Sequence, residues 1–341
     1  MSLLHLKVAS TSRETDLVRR IALESTGPDP LPGYDAGAYV TVRMPVIGRR
    51  RYSLVNVDPA QHATTAPHSY LLGVRLDEAG GGGSRWMHAL TPGVVVEVES
   101  PENDFALTPG NGPVMLVAGG IGVTPLVSKA AAMKAIGRPF RLVYAARRRA
   151  DLAFLPEIRE LAGDGLRLHL DEEEGGVLDV ASIVASLEPG EAMHVCGPKP
   201  MLQAAIHESR RLDWPADRLR FERFFSLGDV PAAPAAPAVP AAAEPAEPAP
   251  APQGDFEVEI ASTGQVFKVP PDRSILAVLL EAGLDPLHDC LRGECGVCQV
   301  GVVSGTPDHR DSILSDAERA AGKVMQICIS RAISPRLVLD L

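Results

Sequence analysis

Three cysteines crowd into one short stretch, Cys290-Leu-Arg-Gly-Glu-Cys295-Gly-Val-Cys298, and a fourth, Cys328, follows thirty residues later. No other feature constrains this end of the chain so tightly, because thiolates that serve one centre must converge from two separate segments. The C-x4-C-x2-C…C spacing is that of a plant-type [2Fe–2S] cluster. Two irons bridged by two sulfides take two thiolates each. A tight loop supplies three of them if the backbone bends around the cluster, and Gly293 and Gly296 tolerate the positive φ that such a bend requires. A four-cysteine zinc site has the same ligand count, but it usually pairs two short C-x2–4-C knuckles. Here Cys328 stands alone on the strand-like segment QICIS. A disulfide framework needs an oxidising compartment for which nothing in the sequence speaks. Cys290, Cys295, Cys298 and Cys328 are therefore the expected cluster ligands, and the fifth cysteine, Cys196, stands apart.

At 341 residues the chain is too long for one ordinary core. Residues 231–254, PAAPAAPAVPAAAEPAEPAPAPQG, hold eight prolines and almost nothing that could build a core. Such a stretch favours extended polyproline conformations and spans roughly 70 Å at full reach. Before it, residues 1 to about 105 carry short alternating runs (YVTVRMP, SYLLGVRL, VVVEVES) between glycine- and proline-rich turns, the pattern of an antiparallel barrel or sandwich. From Pro113 the rhythm changes to apolar strands alternating with helices (VMLVAGG, TPLVSKAAAMKAIG, FRLVYAARR, LAFLPEIRELAG), which implies a parallel sheet covered on both faces. After the linker, FEVEIASTGQVFKVP reads as a hairpin, SILAVLLEAGL as a helix, and QICIS and PRLVLDL as late strands. The expected divisions are 1–107, 108–229, a linker at 230–254, and 255–341.

Four further motifs carry chemistry. In Val114-Met-Leu-Val-Ala-Gly119-Gly120-Ile-Gly122-Val-Thr124-Pro125 an apolar strand enters a glycine turn, with Thr124 as the expected N-cap and Pro125 at the first helical position. Such a turn lets a pyrophosphate approach backbone N–H groups at a helix N-terminus, although a glycine turn of this kind also serves purely structural ends. Arg50-Arg51-Tyr52-Ser53 offers a guanidinium for a phosphate, a ring for stacking and a hydroxyl for a ring edge. The same residues also suit a solvated basic surface and a core aromatic. Gly80 to Gly83 followed by Ser84-Arg85-Trp86 is either a flexible loop or a phosphate cradle. His194-Val-Cys196-Gly197-Pro198 ends a strand where ligands of parallel sheets sit. A small buried thiol before a turn is the plainer account of Cys196.

Taken in order, R-x-Y-S, G-G-x-G-x-T-P, C-G-P and the four-cysteine set resemble the ferredoxin–NADP reductase superfamily. Within it they resemble most the phthalate dioxygenase reductase and vanillate O-demethylase reductase group, over essentially the whole chain apart from the linker. The resemblance implies a multidomain β plus α/β plus α+β chain: an antiparallel β-barrel flavin domain, a doubly wound parallel-sheet NAD domain and a β-grasp ferredoxin domain. It implies that Arg50, Tyr52 and Ser53 contact the flavin, Arg50 toward its phosphate and Tyr52 against its ring. By the same likeness Gly82, Gly83 and Ser84 hold the phosphate of FMN, Gly119, Gly120 and Gly122 receive NADH, and Thr124 and Cys196 lie near the nicotinamide. Phe224, in Phe221-Glu222-Arg223-Phe224, matches the aromatic that lies close to the flavin. Relatives often read G-R-G-G-S where this chain has Gly80-Gly81-Gly82-Gly83-Ser84, so one arginine is missing, with Arg85 as its neighbouring substitute.

The implied path runs from NADH to FMN to the cluster and then to the terminal component of a Rieske-type oxygenase. A cytochrome P450 or other haem acceptor, and a non-enzymatic electron carrier, are the alternatives. An oxygenase in its own right would need two histidines and a carboxylate around a mononuclear iron, and the nine histidines are scattered. Arg147, Arg148 and Arg149 follow the strand LVYAA, where a 2′-phosphate would be sensed, yet family likeness favours NADH over NADPH. A net charge of −10 argues against nucleic acid. The absence of an 18-residue apolar run argues against a membrane span, and the N-terminus does not read as a secretory signal, so the expected location is cytoplasmic.

Overall fold

The computed structural model describes residues 2–341 apart from 46, 61–65, 79–81, 216, 225–253, 285, 287, 289, 290, 294–297, 312, 313 and 315, and apart from the side chains of 316 and 317. The linker, apart from Gly254, lies outside the described residues, as do Gly80, Gly81, Cys290, Cys295 and Gly296. The chain divides into two compact units, Met1–Phe224 and Phe225–Leu341.

The first unit opens with strands β1 (Leu3–Arg13), β2 (Val18–Ser25), β3 (Tyr39–Met44), β4 (Gly48–Ser53) and β5 (Ser69–Arg75), a short helix α1 (Gly83–His88), and β6 (Val95–Glu99). The six strands form one antiparallel sheet in the order β4-β3-β6-β1-β2-β5. Alternation does the work expected of it: Tyr70, Leu72 and Val74 of β5 point inward with Leu6, Val8, Ile21 and Leu23. The sheet closes where the chain leaves β4. Leu54 bridges Leu72, and the Val55 N–H donates to the Leu71 carbonyl at 2.8 Å.

The same unit continues with β7 (Val114–Gly119), α2 (Val123–Ala135), β8 (Phe140–Ala146), α3 (Leu155–Ala162), β9 (Leu166–Leu170), α4 (Asp171–Glu174), α5 (Val180–Ala185), β10 (Ala192–Cys196), α6 (Lys199–Arg211) and β11 (Leu219–Glu222). Its five strands are all parallel, in the order β11-β10-β7-β8-β9. Every residue of β7 and β10 is buried, because α2 and α3 cover one face and α5 and α6 the other. The strand order reverses between β7 and β10, and the crevice at the carboxyl ends of such a pair is where ligands of open α/β sheets bind.

Helix α2 is buried almost all round, since its second side faces the barrel. The Ser128 hydroxyl donates to the Leu54 carbonyl at 2.7 Å and accepts from the Asn56 N–H at 2.8 Å. A second tie joins Glu14 to Arg20, Arg20 to Glu157, and the Phe154 N–H to Glu14.

The second unit contains β12 (Phe256–Ile260), β13 (Val266–Val269), α7 (Ile275–Glu281), β14 (Gln299–Ser304), β15 (Pro307–Asp308), α8 (Asp316–Ala321), β16 (Val324–Gln326), β17 (Arg331–Ala332) and β18 (Arg336–Asp340). The main sheet runs β13-β12-β18-β14-β16, with β12 and β18 parallel and the other pairs antiparallel, and α7 packs across it in the β-grasp manner. Ser274 caps α7 by accepting the Ala277 N–H. QICIS is not a strand: β16 stops at Gln326 and the chain turns through Ile327–Ile329, which places Cys328 in a turn.

Candidate functional site

The arginine run on β4 is not a uniform basic patch. Arg49 and Arg43 both pair with the buried Glu99, while Arg51 pairs with Asp104 at 3.3 Å and lies over the Tyr39 ring. Arg50 instead lies against the start of α1: a Cβ added to Gly83 would stand 3.0 Å from Arg50 Cγ and 3.4 Å from Nε. Gly82 holds a left-handed φ of +87° there, open to glycine at little cost. The R-x-Y-S and glycine-loop motifs, thirty residues apart in sequence, thus meet at one place. The Ser84 hydroxyl closes its own loop, accepting from the Asp77 N–H at 2.9 Å and donating to the Asp77 carbonyl at 3.2 Å. Only its backbone remains to face a phosphate. Burial raises the Tyr52 phenol above its ordinary range, with the Arg50 charge acting in opposition, so the ring is neutral.

Ser53 is the telling residue. Its hydroxyl is buried and has no hydrogen-bond partner among the described residues. A buried unpaired hydroxyl costs about 1–3 kcal/mol, a cost that the polar edge of a bound ring would remove. With Arg50 against a glycine-lined turn, the donor set fits a phosphorylated planar ring such as FMN.

The second constellation lies at the carboxyl ends of β7 and β10. Gly119 ends β7, a 3-10 turn spans Gly120–Gly122, and α2 begins at Val123 with Gly122 as its N-cap. Thr124 is therefore inside the helix rather than capping it, and its hydroxyl donates back to the Ile121 carbonyl at 3.0 Å. The glycines are required by close approach. A Cβ on Gly122 would stand 2.2 Å from the Cys196 carbonyl oxygen, one on Gly119 2.6 Å from Pro198 Cδ, and one on Gly197 3.1 Å from Gly119 Cα. The two sequence motifs are interlocked backbone to backbone. Gly120 is different: it has φ +55° with nothing within 4 Å of the position of a Cβ.

Around this turn the expected residues gather. Thr124 is buried, with its methyl against Gly73 of the barrel, and Phe224 packs on the cluster that includes Cys196 and Val123. Cys196 is fully buried, and burial, aided by the Glu222 charge, pushes its thiol well above the usual range. It is a neutral packing group and no nucleophile. After β8, Arg148 pairs with Asp151 at 2.8 Å and Arg149 with Glu173 at 3.2 Å, so two of the three arginines are already committed to acids.

In the second unit Cys298 lies immediately before β14 and Cys328 two residues after β16, and these strands pair with Gln299 opposite Gln326. Both thiols are buried, and the Ile327 N–H donates to the Cys298 carbonyl at 3.3 Å. Gly293 has φ +71°, and a Cβ there would meet Ile329 Cγ2 at 2.6 Å and Asp311 Cα at 3.1 Å. The described part of the cysteine loop is thus drawn against the segment that carries Cys328. These features fit a cluster cradle, and the other two ligands lie outside the described residues.

Sequence reasoning missed Lys129, whose amine lies 2.8 Å from Nδ1 of His194, two residues before Cys196 on β10. The available signal was a lysine inside the otherwise apolar helix TPLVSKAAAM. No helix among the described residues is long and apolar enough to cross a membrane.

Comparison with known proteins gives a family match in each of the two units. Residues 116–207 match the oxidoreductase NAD-binding domain, and residues 258–332 match the 2Fe-2S iron-sulfur cluster binding domain. The chain is 37% identical to phenoxybenzoate dioxygenase subunit beta of Ectopseudomonas oleovorans, over 100% of this chain and 98% of that protein. It is similar to the solved structure of phthalate dioxygenase reductase, described as modular for electron transfer from pyridine nucleotides to [2Fe–2S]. There the identity is 32% and the TM-score 0.63, covering 100% of this chain and 98% of that one. It is also similar to full-length CYP116B46 from Tepidiphilus thermophilus, with 33% identity and a TM-score of 0.62; 99% of this chain matches but only 42% of that longer one. The barrel, the doubly wound sheet and the β-grasp unit, together with these matches, place the chain in the phthalate dioxygenase reductase family of NAD-linked, iron–sulfur oxidoreductases.

Proposed function

We propose that this protein is the reductase component of a multicomponent oxygenase. It takes electrons from NADH through FMN to a [2Fe–2S] cluster and hands them to a terminal oxygenase, of Rieske type and acting on an aromatic or similar small molecule. The observation that carries the proposal is the placement of α2. This helix starts at the dinucleotide turn, and Ser128 bonds it to the barrel backbone directly after Tyr52-Ser53. A nicotinamide entering at the switch point and a flavin lying on the R-x-Y-S strand would share that wall.

In this reading Arg50 and the backbone N–H groups of Gly83 and Ser84 hold the FMN phosphate, Tyr52 covers the ring, and Ser53 bonds its edge. Gly119, Gly120 and Gly122 admit the pyrophosphate to within reach of the backbone. Thr124, Cys196 and Phe224 shape the nicotinamide side and exclude water from it. Bound FMN supplies the conversion of a two-electron hydride into two single-electron deliveries. Cys290, Cys295, Cys298 and Cys328 hold the cluster in a ferredoxin domain at 255–341, tethered by 230–254 to barrel and dinucleotide domains at 1–107 and 108–229. The pairing of Arg148 and Arg149 with acids supports NADH over NADPH. A cytochrome P450 acceptor is the second reading, supported by the match to one part of CYP116B46.

Anaerobic titration with NADH, followed by visible absorbance, tests the path. Bleaching of flavin together with loss of cluster absorbance is the expected result. Iron and sulfide without any flavin, even after reconstitution, would overturn it. Arg50→Gln should weaken FMN retention by about ten- to a hundredfold, the loss of one charge-assisted phosphate contact worth roughly 1.5–3 kcal/mol. Fluorescence of released flavin measures it, and unchanged affinity would remove Arg50 from the phosphate site.

A further inference from the structure

Gln326 ends β16 between Met325 and Ile327, two members of the second unit's apolar core, and it has no exposed surface. Burying an amide is costly unless it is hydrogen-bonded, and an apolar side chain would fill the same space without that cost. Two partners account for it. Nε2 donates to Gln299 Oε1 at 3.0 Å, and Oε1 accepts from Cys298 Sγ at 3.5 Å. Both contacts follow from register: Gln299 stands opposite Gln326 in the antiparallel β14–β16 pair, so the two side chains share one face, and Cys298 directly precedes Gln299. The backbone of Gln326 is tied as firmly. Its carbonyl accepts the Ser330 N–H at 3.0 Å and the Ile329 N–H at 3.4 Å, closing the turn that carries Cys328. One buried residue thus joins both cysteine segments.

That arrangement belongs to the protonated thiol. A cysteine that holds iron is a thiolate with no proton to give, and an amide oxygen facing it would set two acceptors 3.5 Å apart in a buried site. A half-turn of the amide removes the conflict: Nε2 then donates to Sγ, and Oε1 turns to Gln299. Gln299 is half-buried, and its own amide reverses in step, so the pair keeps its mutual hydrogen bond in either sense. A glutamine opposite a glutamine permits this exchange, whereas a carboxylate at that position would only accept.

We propose that Gln326 is a positioning residue of the cluster half, whose side-chain amide donates to the Cys298 thiolate and so raises the reduction potential of the cluster. The presence of the cluster rests on the function proposed above. One-electron reduction adds negative charge that the ligand sulfurs share, and a donor aimed at one of them stabilises the reduced form more than the oxidised one. Hydrogen bonds to sulfur are among the factors that set such potentials. A donor held by strand pairing in a buried site acts in low dielectric and needs no reorganisation when the electron arrives. It makes the cluster a better acceptor of electrons from the flavin.

Redox titration of the full-length protein, followed by electron paramagnetic resonance of the reduced cluster, tests this. Gln326→Met keeps the volume and loses the donor. Its one-electron reduction equilibrium should become about tenfold less favourable, a fall of about 59 mV in midpoint potential. Nitrogen-15 in the glutamine side chains gives an independent readout. The reduced wild type should show a hyperfine coupling to an amide nitrogen, and Gln326→Met should lack it, which loss of packing alone does not mimic. A fall of less than about threefold, a rise, or a coupling that survives the substitution overturns the proposal. If Gln326→Met does not hold its cluster, Gln299→Glu takes its place: at about pH 8 the new carboxylate accepts from Nε2, leaves Oε1 toward Sγ and should erase the coupling. A coupling that persists there, or is missing from the wild type, overturns the assignment of Gln326 while the cluster stands. A wild-type protein that takes up no iron and sulfide defeats the cluster reading, and the role of Gln326 with it.

Discussion

Cys298→Ser should abolish electron delivery to any one-electron protein acceptor while NADH oxidation with a hydride-accepting dye continues. Cys298 is a buried residue at the start of β14, where the register of β14 with β16 sets it beside the turn that carries Cys328. A serine there is shorter, and its hydroxyl does not ionise as a thiol does, so with Cys298 in the ligand role proposed above, one iron would lose a ligand at a position where the backbone is already fixed. Even partners one step removed from a metal centre are worth roughly 10–100-fold in affinity or activity, so loss of a ligand should exceed about a hundredfold. Iron and sulfide analysis and the visible spectrum should show the cluster missing. The flavin half should be untouched, because Met1–Phe224 forms its own compact unit with its own cores. Loss of dye reduction as well would mean that the two units do not work separately.

The parts of this protein that sequence reveals are those in which one segment decides its own environment. The runs VMLVAG and AMHVC could be read as strands buried on both faces because nothing in them tolerates water, and all their residues are buried. FEVEIASTGQVFKVP could be read as a hairpin because alternation and a turn suffice, and Phe256 pairs with Val269 in that register. What stayed hidden depends on the meeting of distant segments. Thr124-Pro125 carries the local signature of a helix start, but the close approach of Gly122 to Cys196 draws the chain into a 3-10 turn and begins the helix before Thr124. Ser84 has the right type for a phosphate ligand, yet Asp77 takes its hydroxyl. QICIS has strand composition, but β14 pairs only as far as Gln326, and the chain must then turn to present Cys328. Lys129 looks like a surface residue until the barrel covers its helix.

Gly122→Ala should cost the most on the dinucleotide side. The added methyl would stand 2.2 Å from the Cys196 carbonyl oxygen, 2.5 Å from its carbon and 2.9 Å from the Gly197 nitrogen. All three are backbone atoms of the segment leaving β10, so no side chain can swing aside, and the ends of β7 and β10 must part. Overpacking of a well-packed interior costs typically about 1–3 kcal/mol, which the fold can bear, so the protein should still be made and should keep its cluster. Function is less tolerant: a displacement of about 1 Å at a reacting centre is enough for a hundredfold loss. Flavin bleaching by NADH should therefore slow by about a hundredfold, while dithionite still reduces flavin and cluster. Gly137→Ala is the control. Gly137 has a positive φ, +67°, where Gly122 has φ −59°, and nothing lies within 4 Å of the added carbon, so it carries backbone strain of about 1–2 kcal/mol without a clash. Stopped-flow absorbance on the two variants separates the causes. If both slow equally, the loss is one of general stability; if Gly122→Ala alone slows, the glycine matters because two strand ends must touch for NADH to be held against the flavin.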